Sequence, residues 1–211
     1  MDLITQSKGV VFDLDGVLVD TAIYHFQAWK RLANELGIDF TAAENEQLKG
    51  VSRMQSLEKI LHWGRLDLDE KKKLLLAAQK NVWYLEFIQQ MDEGGLLPGA
   101  RELLIWLHDQ GFKVALGSAS KNAKLILQRT GIESLFDAVV DGNVVNESKP
   151  NPEVFLRAAT YLGLDPHDCL VFEDAQAGID AGRAAGMMVV GVGVDLVRAD
   201  ALINGLDEIF V

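Results

Sequence analysis

The stretch GVVFDLDG, from Gly9 to Gly16, decides the fold expected of this chain. Its first six residues are mostly apolar and rich in valine, and so short a run is typical of a buried parallel strand rather than a helix. Asp13 and Asp15 stand at the end of the run, and in an extended segment side chains two residues apart point to the same side. The glycine that follows them permits an abrupt turn of the backbone. The stretch therefore predicts a strand that delivers two carboxylates to one place.

Downstream of residue 92, helical and strand patterns alternate. Short apolar strands separated by amphipathic helices are typical of right-handed βαβ units and of a parallel sheet covered on both faces. The predicted fold class is therefore α/β, a doubly wound parallel sheet. The later strands are predicted at 113–116, 138–140, 170–172 and 188–192, and the helices at 101–110, 121–130, 152–162 and 175–185. The segment after Leu196 is ambiguous and leaves room for an edge strand at 208–211.

A helical insertion separates the first strand from the rest of the sheet. Between residues 21 and 91 apolar residues recur at three- and four-residue steps, and no strand pattern competes with them. Ser52 followed by Gln55 matches the sequence pattern of a capping box, which begins a helix. The segment 91–99, with its glycines and a proline, indicates the return to the sheet. The predicted domains are an α/β catalytic core, residues 1–19 and 92–211, and a helical cap domain, residues 20–91.

The composition limits the partners of the chain. Lysine and arginine number 20 against 31 aspartates and glutamates, which gives a formal net charge of −11 at pH 7. So acidic a balance counts against non-specific binding to nucleic acid or to an anionic membrane, which needs basic residues. No apolar stretch is long enough to span a bilayer, no signal peptide precedes the first strand, and no exposed apolar stripe demands a partner. We expect a soluble, cytoplasmic, monomeric protein without a nucleic-acid or membrane partner.

Reactive side chains follow the predicted strands directly. In an open parallel sheet, ligands lie beyond the carboxyl ends of the strands, so residues at those ends are the candidates for a site. Two carboxylates can divide the work of nucleophile and general acid/base, while a lysine and a serine can hold phosphate oxygens. A carboxylate that attacks an anionic phosphate needs a hard cation, and oxygen ligands suit Mg²⁺. The candidates are Asp13 and Asp15 after the first strand, Ser118 after the second, Lys149 after the third, and Glu173 and Asp174 after the fourth.

Four motifs resemble those of a known superfamily. FDLDGVLVDT at 12–21, GSAS at 117–120, the Lys149–Pro150 pair and FEDAQAGIDA at 172–181 are similar, in order and spacing, to the motifs of the haloacid dehalogenase superfamily of phosphoryl-transfer enzymes. The resemblance implies a Rossmannoid core with a mobile cap. It implies that Asp13 forms an aspartyl-phosphate and that Asp15 protonates the leaving oxygen. It also implies a Mg²⁺ ion held by Asp13, the main-chain carbonyl of Asp15, Glu173 and Asp174.

The predicted cap narrows the resemblance to one subfamily. YHFQAWK at 24–30, LKGVSR at 48–53 and SASKN at 118–122, with Ser56 and the Lys80–Asn81 pair, are similar to the β-phosphoglucomutase subfamily. The resemblance implies that Arg53 clamps the distal phosphate of a bisphosphate, with support from the phosphate-binding loop Ala119, Ser120, Lys121 and Asn122. It implies that Thr21 positions Asp15 at the hinge and that His25 lies near Asp15. The residues implied to meet the sugar or adjust cap closure are Lys49, Gly50, Ser56 and Lys80.

The function implied by this resemblance is a Mg²⁺-dependent phosphomutase acting on a phosphosugar. It would interconvert β-D-glucose 1-phosphate and D-glucose 6-phosphate through β-glucose 1,6-bisphosphate. A Mg²⁺-dependent sugar-phosphate phosphatase on the same scaffold is the alternative, with water in place of a sugar hydroxyl. A catalytically silent phosphosugar sensor is disfavoured because both motif aspartates and the lysine are intact. Taken singly, Arg53, His25 and Lys80 also fit a solvated helix face or a core position, so their roles depend on the surrounding motifs.

Overall fold

A computed structural model of the chain describes residues 2–49 and 51–210. Its centre is a six-stranded parallel sheet with the strand order β3-β2-β1-β4-β5-β6. The predicted doubly wound α/β fold is thereby confirmed. The strands are β1 Gly9–Phe12, β2 Lys113–Gly117, β3 Ala138–Val140, β4 Cys169–Glu173, β5 Met188–Val192 and β6 Ala201–Ile203.

The α-helices cover the two faces of this sheet and form the insertion after β1. Helices α2 to α5 form the insertion after β1, and α6 to α9 alternate with the strands from β2 to β5. The helices are α1 Asp2–Thr5, α2 Ala22–Glu35, α3 Ala42–Glu46, α4 Arg53–Trp63, α5 Glu70–Ile88, α6 Ala100–Asp109, α7 Ala123–Arg129, α8 Glu153–Leu162 and α9 Gln176–Ala184. Short 3₁₀ helices span Glu93–Gly95, Glu133–Leu135, Pro166–Asp168 and Leu206–Phe210.

The side-chain alternation of β1 explains why both faces are covered. All four residues of this strand are buried. Val10 and Phe12 point into one apolar cluster, which α6 and α7 complete, whereas Val11 points into a second cluster completed by α8 and α9. Since β1 lies between β2 and β4, residue Phe12 pairs with both Leu116 and Phe172. The three carboxyl ends therefore meet at the centre of one sheet edge.

Side-chain hydrogen bonds mark the start of two helices of the insertion. The Ser52 hydroxyl accepts from the Gln55 amide and the Gln55 side chain accepts from the Ser52 amide, which is the predicted capping box at the start of α4. The Asp69 carboxylate accepts from the Lys72 amide at the start of α5. The long helix α5 packs along α2, and Tyr84 on α5 is fully buried in their shared core.

The two connections between the insertion and the sheet lie side by side. Val19 forms an antiparallel bridge with Leu96. The amide of Asp20 donates to the carbonyl of Gly95 at 3.2 Å, and the amide of Leu97 donates to the carbonyl of Leu18 at 3.0 Å. The chain thus leaves and re-enters the sheet through one short paired segment.

The C-terminal part differs from the sequence prediction. The edge strand expected at 208–211 is wrong, because the edge strand is β6 and the following residues form the 3₁₀ helix Leu206–Phe210. Leu206 and Ile209 are both buried, and their three-residue spacing matches one turn of a 3₁₀ helix and not the two-residue period of a strand. Val211 lies outside the described residues.

Two short helices were not predicted. Helix α1 precedes β1 along the chain. Helix α3 begins with a capping box in which Thr41 and Glu44 satisfy each other's amides. Neither helix is long enough to show a hydrophobic period. Within the described residues, no helix combines the length and the apolar character needed to cross a membrane.

Candidate active site

A cavity of about 510 Å³ lies at the carboxyl edge of the sheet. Residues of the sheet edge, including Asp13, Ser118 and Asp174, form one wall. Residues of the insertion, including Arg53 on α4 and Lys80 on α5, form the opposite wall. The cavity is thus enclosed between the core and the inserted helices, where the sequence predicts a site.

Lys149 is the buried positive charge at the centre of the sheet edge. Its Nζ donates to Asp13 Oδ1 at 2.6 Å and to Glu173 Oε2 at 2.8 Å, and it lies 4.8 Å from the centre of the Phe155 ring. Burial alone would lower the pKa of Lys149, but the carboxylates of Asp13 and Glu173 outweigh it and raise the pKa above its ordinary value. Lys149 is therefore a permanent cation that holds the Asp13 carboxylate in place.

Three carboxylates converge beside this lysine. Asp13, Glu173 and Asp174 offer oxygen atoms that all lie within 4.8 Å of one another. Burial, and then the charge of Asp13, raise the pKa of Glu173 well above its ordinary value and that of Asp174 to about 6. The raised pKa values show that Lys149 and Lys49 do not fully offset the negative charge of this cluster. A hard divalent cation with oxygen ligands would supply that charge, so the donor set fits Mg²⁺.

Asp15 lies in a different environment from Asp13. Its Oδ1 accepts a hydrogen bond from the hydroxyl of Thr21, which immediately precedes α2. Burial, followed by the charges of Asp13 and Asp174, raises the pKa of Asp15 to about 8. In this arrangement Asp15 holds a proton at neutral pH, as a general acid must.

Gly16 allows the turn after Asp15 to pass close to the carboxylates. Its φ of +80° lies in the left-handed region, and a Cβ atom there would overlap the Asp174 carboxylate. The sequence prediction of an abrupt turn at Gly16 is confirmed.

The loop after β2 is closed by its own hydroxyl groups. Ser118 Oγ accepts from the Ser120 amide at 3.1 Å, and Ser120 Oγ accepts from the Asn122 amide at 3.2 Å. Ser118 is buried, whereas Ser120 and Asn122 are half-buried. All three line the cavity together with Ala119 and Lys121. The loop thus presents polar groups from the core side.

The opposite wall holds two cations without an acidic partner. Lys80, which is 2% exposed, has its Nζ 2.9 Å from His25 Nδ1. It also lies 4.6 Å from the ring centre of Trp29 and 4.7 Å from that of Tyr84. In the described part of the chain neither Lys80 nor Arg53 lies within ion-pair distance of a carboxylate. This wall attracts anions.

Burial shifts the pKa of each basic group in this wall. It lowers the pKa of Lys80 to about 7, with the Arg53 charge adding to the effect, and it lowers the pKa of Arg53. Burial and the charges of Lys80 and Arg53 bring the pKa of His25 well below its ordinary value. His25 is therefore neutral, and a bound anion would relieve the repulsion between the charges of Lys80 and Arg53.

Lys49 bridges the insertion and the carboxylate cluster. Its Nζ lies 3.3 Å from Asp174 Oδ2 and 3.0 Å from Glu46 Oε2. Burial opposes the charge of Lys49, but the neighbouring carboxylates raise its pKa. The insertion thus already touches the cluster through an ion pair.

Nearly all the predicted site residues meet at this cavity. Thr21 contacts Asp15 from behind, and Lys149 and Glu173 lie beneath Asp13, outside the cavity lining. Gly50 lies outside the described residues. Those that line the cavity are Asp13, Asp15, His25, Lys49, Arg53, Ser56, Lys80, Ser118, Ala119, Ser120, Lys121, Asn122 and Asp174. Their individual roles stay predictions.

Three further residues were not predicted as part of the site. Trp29 is buried and also lines the cavity beneath Lys80. Tyr84 lies one helical turn after Lys80, and its ring packs at a tilt of 38° against the His25 ring, with ring centres 4.2 Å apart. Asn81 lines the cavity and accepts from Asn122. For Tyr84 the four-residue spacing from Lys80 was the available signal, whereas the contact of Asn81 spans 41 residues.

Comparison with known proteins gives a consistent relationship. Residues 7–186 match the family of haloacid dehalogenase-like hydrolases. β-Phosphoglucomutase of Bacillus subtilis (strain 168) is 45% identical over 188 residues, which are 88% of this chain and 83% of that protein. Fructose-1-phosphate phosphatase YqaB of Escherichia coli (strain K12) is 34% identical, covering 87% of this chain and 95% of that one. The crystal structure of β-phosphoglucomutase (pgmB) from Clostridium difficile matches with a TM-score of 0.93 at 41% identity, covering 96% of this chain and 92% of that chain.

Proposed function

The chain belongs to the family of haloacid dehalogenase-like hydrolases, and we propose that within this family it is a β-phosphoglucomutase. It interconverts β-D-glucose 1-phosphate and D-glucose 6-phosphate through β-glucose 1,6-bisphosphate. One observation supports this function best. The cavity has Asp13, which Lys149 contacts from behind, on the core wall, and on the opposite wall it has Arg53 and Lys80, which form no ion pair among the described residues, so it can hold a molecule with two phosphates.

Asp13 is the proposed nucleophile. Its carboxylate forms a bond to the phosphorus atom of the bound phosphate, and the bond from phosphorus to the sugar oxygen breaks. Lys149 holds Asp13 Oδ1 at 2.6 Å, which fixes the carboxylate without a large rearrangement. Lys149 and Ser118 stabilise the negative charge that spreads over the phosphate oxygens.

The protein uses Mg²⁺, and its ligands would come from Asp13, Asp174, Glu173 and the main-chain carbonyl of Asp15. When bound, the ion offsets the repulsion between the attacking carboxylate and the phosphate. Of these groups, the three carboxylates of the cluster are within 4.8 Å of one another.

Asp15 is the proposed general acid and base. It gives its proton to the sugar oxygen that leaves phosphorus, and it takes a proton from the sugar hydroxyl that attacks the aspartyl-phosphate in the return step. Its raised pKa of about 8 keeps the proton available, and the hydroxyl of Thr21 holds Oδ1. The second carboxyl oxygen is then free to face the sugar.

The opposite wall is proposed to bind the distal phosphate. A mutase must return phosphate to a different hydroxyl, so the bisphosphate has to bind in two orientations with one phosphate at each end. Arg53 suits the distal phosphate because a guanidinium can donate two parallel hydrogen bonds to it. Ser120, Lys121 and Asn122 support it from the loop after β2, and His25, Lys49, Ser56 and Lys80 lie where the sugar would pass.

We propose that residues 20–91 act as a cap domain that opens and closes over the core, residues 1–19 and 92–211. The paired connections at Val19 and Leu96 are the proposed hinge. Closure excludes water, which would otherwise hydrolyse the aspartyl-phosphate.

One assay separates the mutase from the phosphatase alternative. The protein is incubated with β-glucose 1-phosphate, Mg²⁺ and a trace of β-glucose 1,6-bisphosphate, and glucose 6-phosphate and free phosphate are followed separately. We expect glucose 6-phosphate to form with little free phosphate. Free phosphate released without glucose 6-phosphate would instead indicate a phosphatase, the activity for which the Escherichia coli relative is named.

We further propose that the protein is cytoplasmic and binds neither nucleic acid nor a membrane. The net charge of −11 supports the absence of a nucleic-acid partner, and the single buried cysteine is compatible with a cytoplasmic location. We propose that the protein is a monomer. Light scattering of the protein as it elutes from a size-exclusion column tests this directly. A mass near 23.2 kDa is the expected result, and twice that mass would contradict it.

A further inference from the structure

A side-chain hydrogen bond joins the insertion to the loop after β2. Asn122 Nδ2 donates to Asn81 Oδ1 at 2.8 Å. Asn81 lies on α5 next to Lys80, and Asn122 immediately precedes α7. Both side chains are half-buried and line the cavity. This contact therefore forms at the wall proposed to receive the distal phosphate.

The pair leaves hydrogen-bond donors unused. A primary amide has two N–H donors and one carbonyl acceptor, and this bond occupies one donor of Asn122 and the acceptor of Asn81. Both side-chain N–H groups of Asn81 and one of Asn122 have no partner among the hydrogen bonds of the described residues. By accepting from Asn122, the carbonyl of Asn81 also sets which way the Asn122 amide faces. Neutral donors of this kind suit an anion that Arg53 already attracts.

We propose that Asn81 is a further substrate-binding residue, which donates to the distal phosphate from the cap side while its carbonyl holds the Asn122 amide in its donating orientation. The ligand is the phosphate monoester of a hexose bisphosphate, so this assignment rests on the proposed function. Because the same side chain contacts the core loop, a phosphate bound here joins the cap to the core. Asn81 thereby contributes both to affinity and to closure.

Two substitutions separate a phosphate contact from a contact with Asn122 alone. Asn81→Ala removes the donors and the acceptor. Asn81→Asp keeps an oxygen that can accept from Asn122 but removes the donors and turns a negative charge towards the phosphate. Val82→Ala, an exposed neighbour on α5, is the matched control.

Binding is measured by calorimetric titration with β-glucose 1,6-bisphosphate in an Asp13→Asn background, which prevents turnover. We expect Kd to rise about tenfold for Asn81→Ala and more for Asn81→Asp, as for loss of a hydrogen bond to a charged group. Val82→Ala should leave Kd unchanged. An affinity of Asn81→Asp equal to or better than that of Asn81→Ala would overturn the proposal, as would an unchanged Kd in Asn81→Ala.

A second readout uses the proteins with Asp13 intact. Hydrolysis of an aryl phosphate, which has no distal phosphate, should differ from that of the parental protein by less than about twofold in both variants. A matching loss in this reaction would indicate a misfolded core and overturn the assignment. Failure of the proposed function is recognised separately, because the parental protein would then form no glucose 6-phosphate.

Discussion

Lys80 Nζ lies 2.9 Å from His25 Nδ1 in the wall opposite the nucleophile. The two groups are both basic, and the faces of Trp29 and Tyr84 cover the ammonium in place of a carboxylate. Aromatic faces offset part of the cost of burying a cation, but less than a carboxylate would. The wall is therefore electropositive, and burial of its charge lowers the free energy of unfolding of the ligand-free protein. Binding of an anionic ligand would recover part of this free energy.

The first prediction concerns stability and pH. The pKa of Lys80 is lowered from 10.5 to about 7 on folding. Below pH 7 the lysine is charged in both states, so folding bears the full cost of burying the charge. Between pH 7 and 10.5 the unfolded chain binds the extra proton, so the contribution of Lys80 to the free energy of unfolding becomes more favourable as pH rises. We expect Lys80→Met to stabilise the ligand-free protein by a few kcal/mol at pH 6. This magnitude follows from the shift in the pKa of Lys80, since each pKa unit corresponds to about 1.4 kcal/mol.

Thermal unfolding at pH 6 and pH 9.5 checks this expectation. The increase in Tm caused by Lys80→Met should be large at pH 6 and shrink at pH 9.5. Lys71→Met, which removes an exposed lysine of the same helix, is the control and should change Tm little at either pH. An increase of the same size at both pH values would contradict the lowered pKa of Lys80.

The second prediction concerns the nucleophile. Asp13→Asn keeps the shape of the side chain but removes the charge that attacks phosphorus and that pairs with Lys149. When Asp13→Asn is incubated with radioactively phosphorylated sugar substrate and quenched with acid, we expect no radioactive phosphate to be bound to the protein. Asp180→Asn, at an exposed ion pair of α9, should incorporate phosphate normally. Persistent labelling of Asp13→Asn would show that another group is the nucleophile.

The third prediction uses two glycines with the same backbone conformation. Gly16 and Gly111 both have φ of +80°, so alanine at either position carries a similar strain of about 1 kcal/mol. Only at Gly16 would the added Cβ overlap the Asp174 carboxylate, whereas the space around Gly111 is open. We expect Gly16→Ala to weaken Mg²⁺ binding at least tenfold and Gly111→Ala to leave it unchanged, as measured by calorimetric titration. Equal Mg²⁺ affinities of the two variants would rule out the overlap as the cause.

The fourth prediction separates the two phosphate sites. Arg53→Ala should lower mutase turnover about 100-fold, because a bidentate, charge-assisted contact to the distal phosphate is lost. Hydrolysis of an aryl phosphate should change little, since that substrate has one phosphate. Arg53→Lys keeps the charge without the bidentate geometry and should recover part of the mutase rate. Equal losses in the two reactions would refute the distal-phosphate role of Arg53.

The sequence by itself determined the sheet and the position of its reactive edge. Apolar runs such as that before Asp13 have a local period, and the carboxyl ends of parallel strands must meet at one edge, so the motif residues could be placed together without coordinates. At 208–211 the local pattern is too short to distinguish a strand from a 3₁₀ helix. A short run that ends in apolar residues fits a strand or a 3₁₀ turn, and the burial of Leu206 and Ile209 in the core decides between them.

Only the tertiary structure decided how the two walls of the cavity meet. The contacts of Lys80 with His25 and of Asn122 with Asn81 join residues 55 and 41 positions apart. Neither contact has a local period or cap that a sequence pattern could reveal, because each depends on how α5 packs against α2 and against the core. The same packing removes Lys80 from water and so sets its pKa. This pKa depends on burial and cannot be read from the residue types alone. The sequence determined which groups carry the chemistry, and packing decided their distances and charge states.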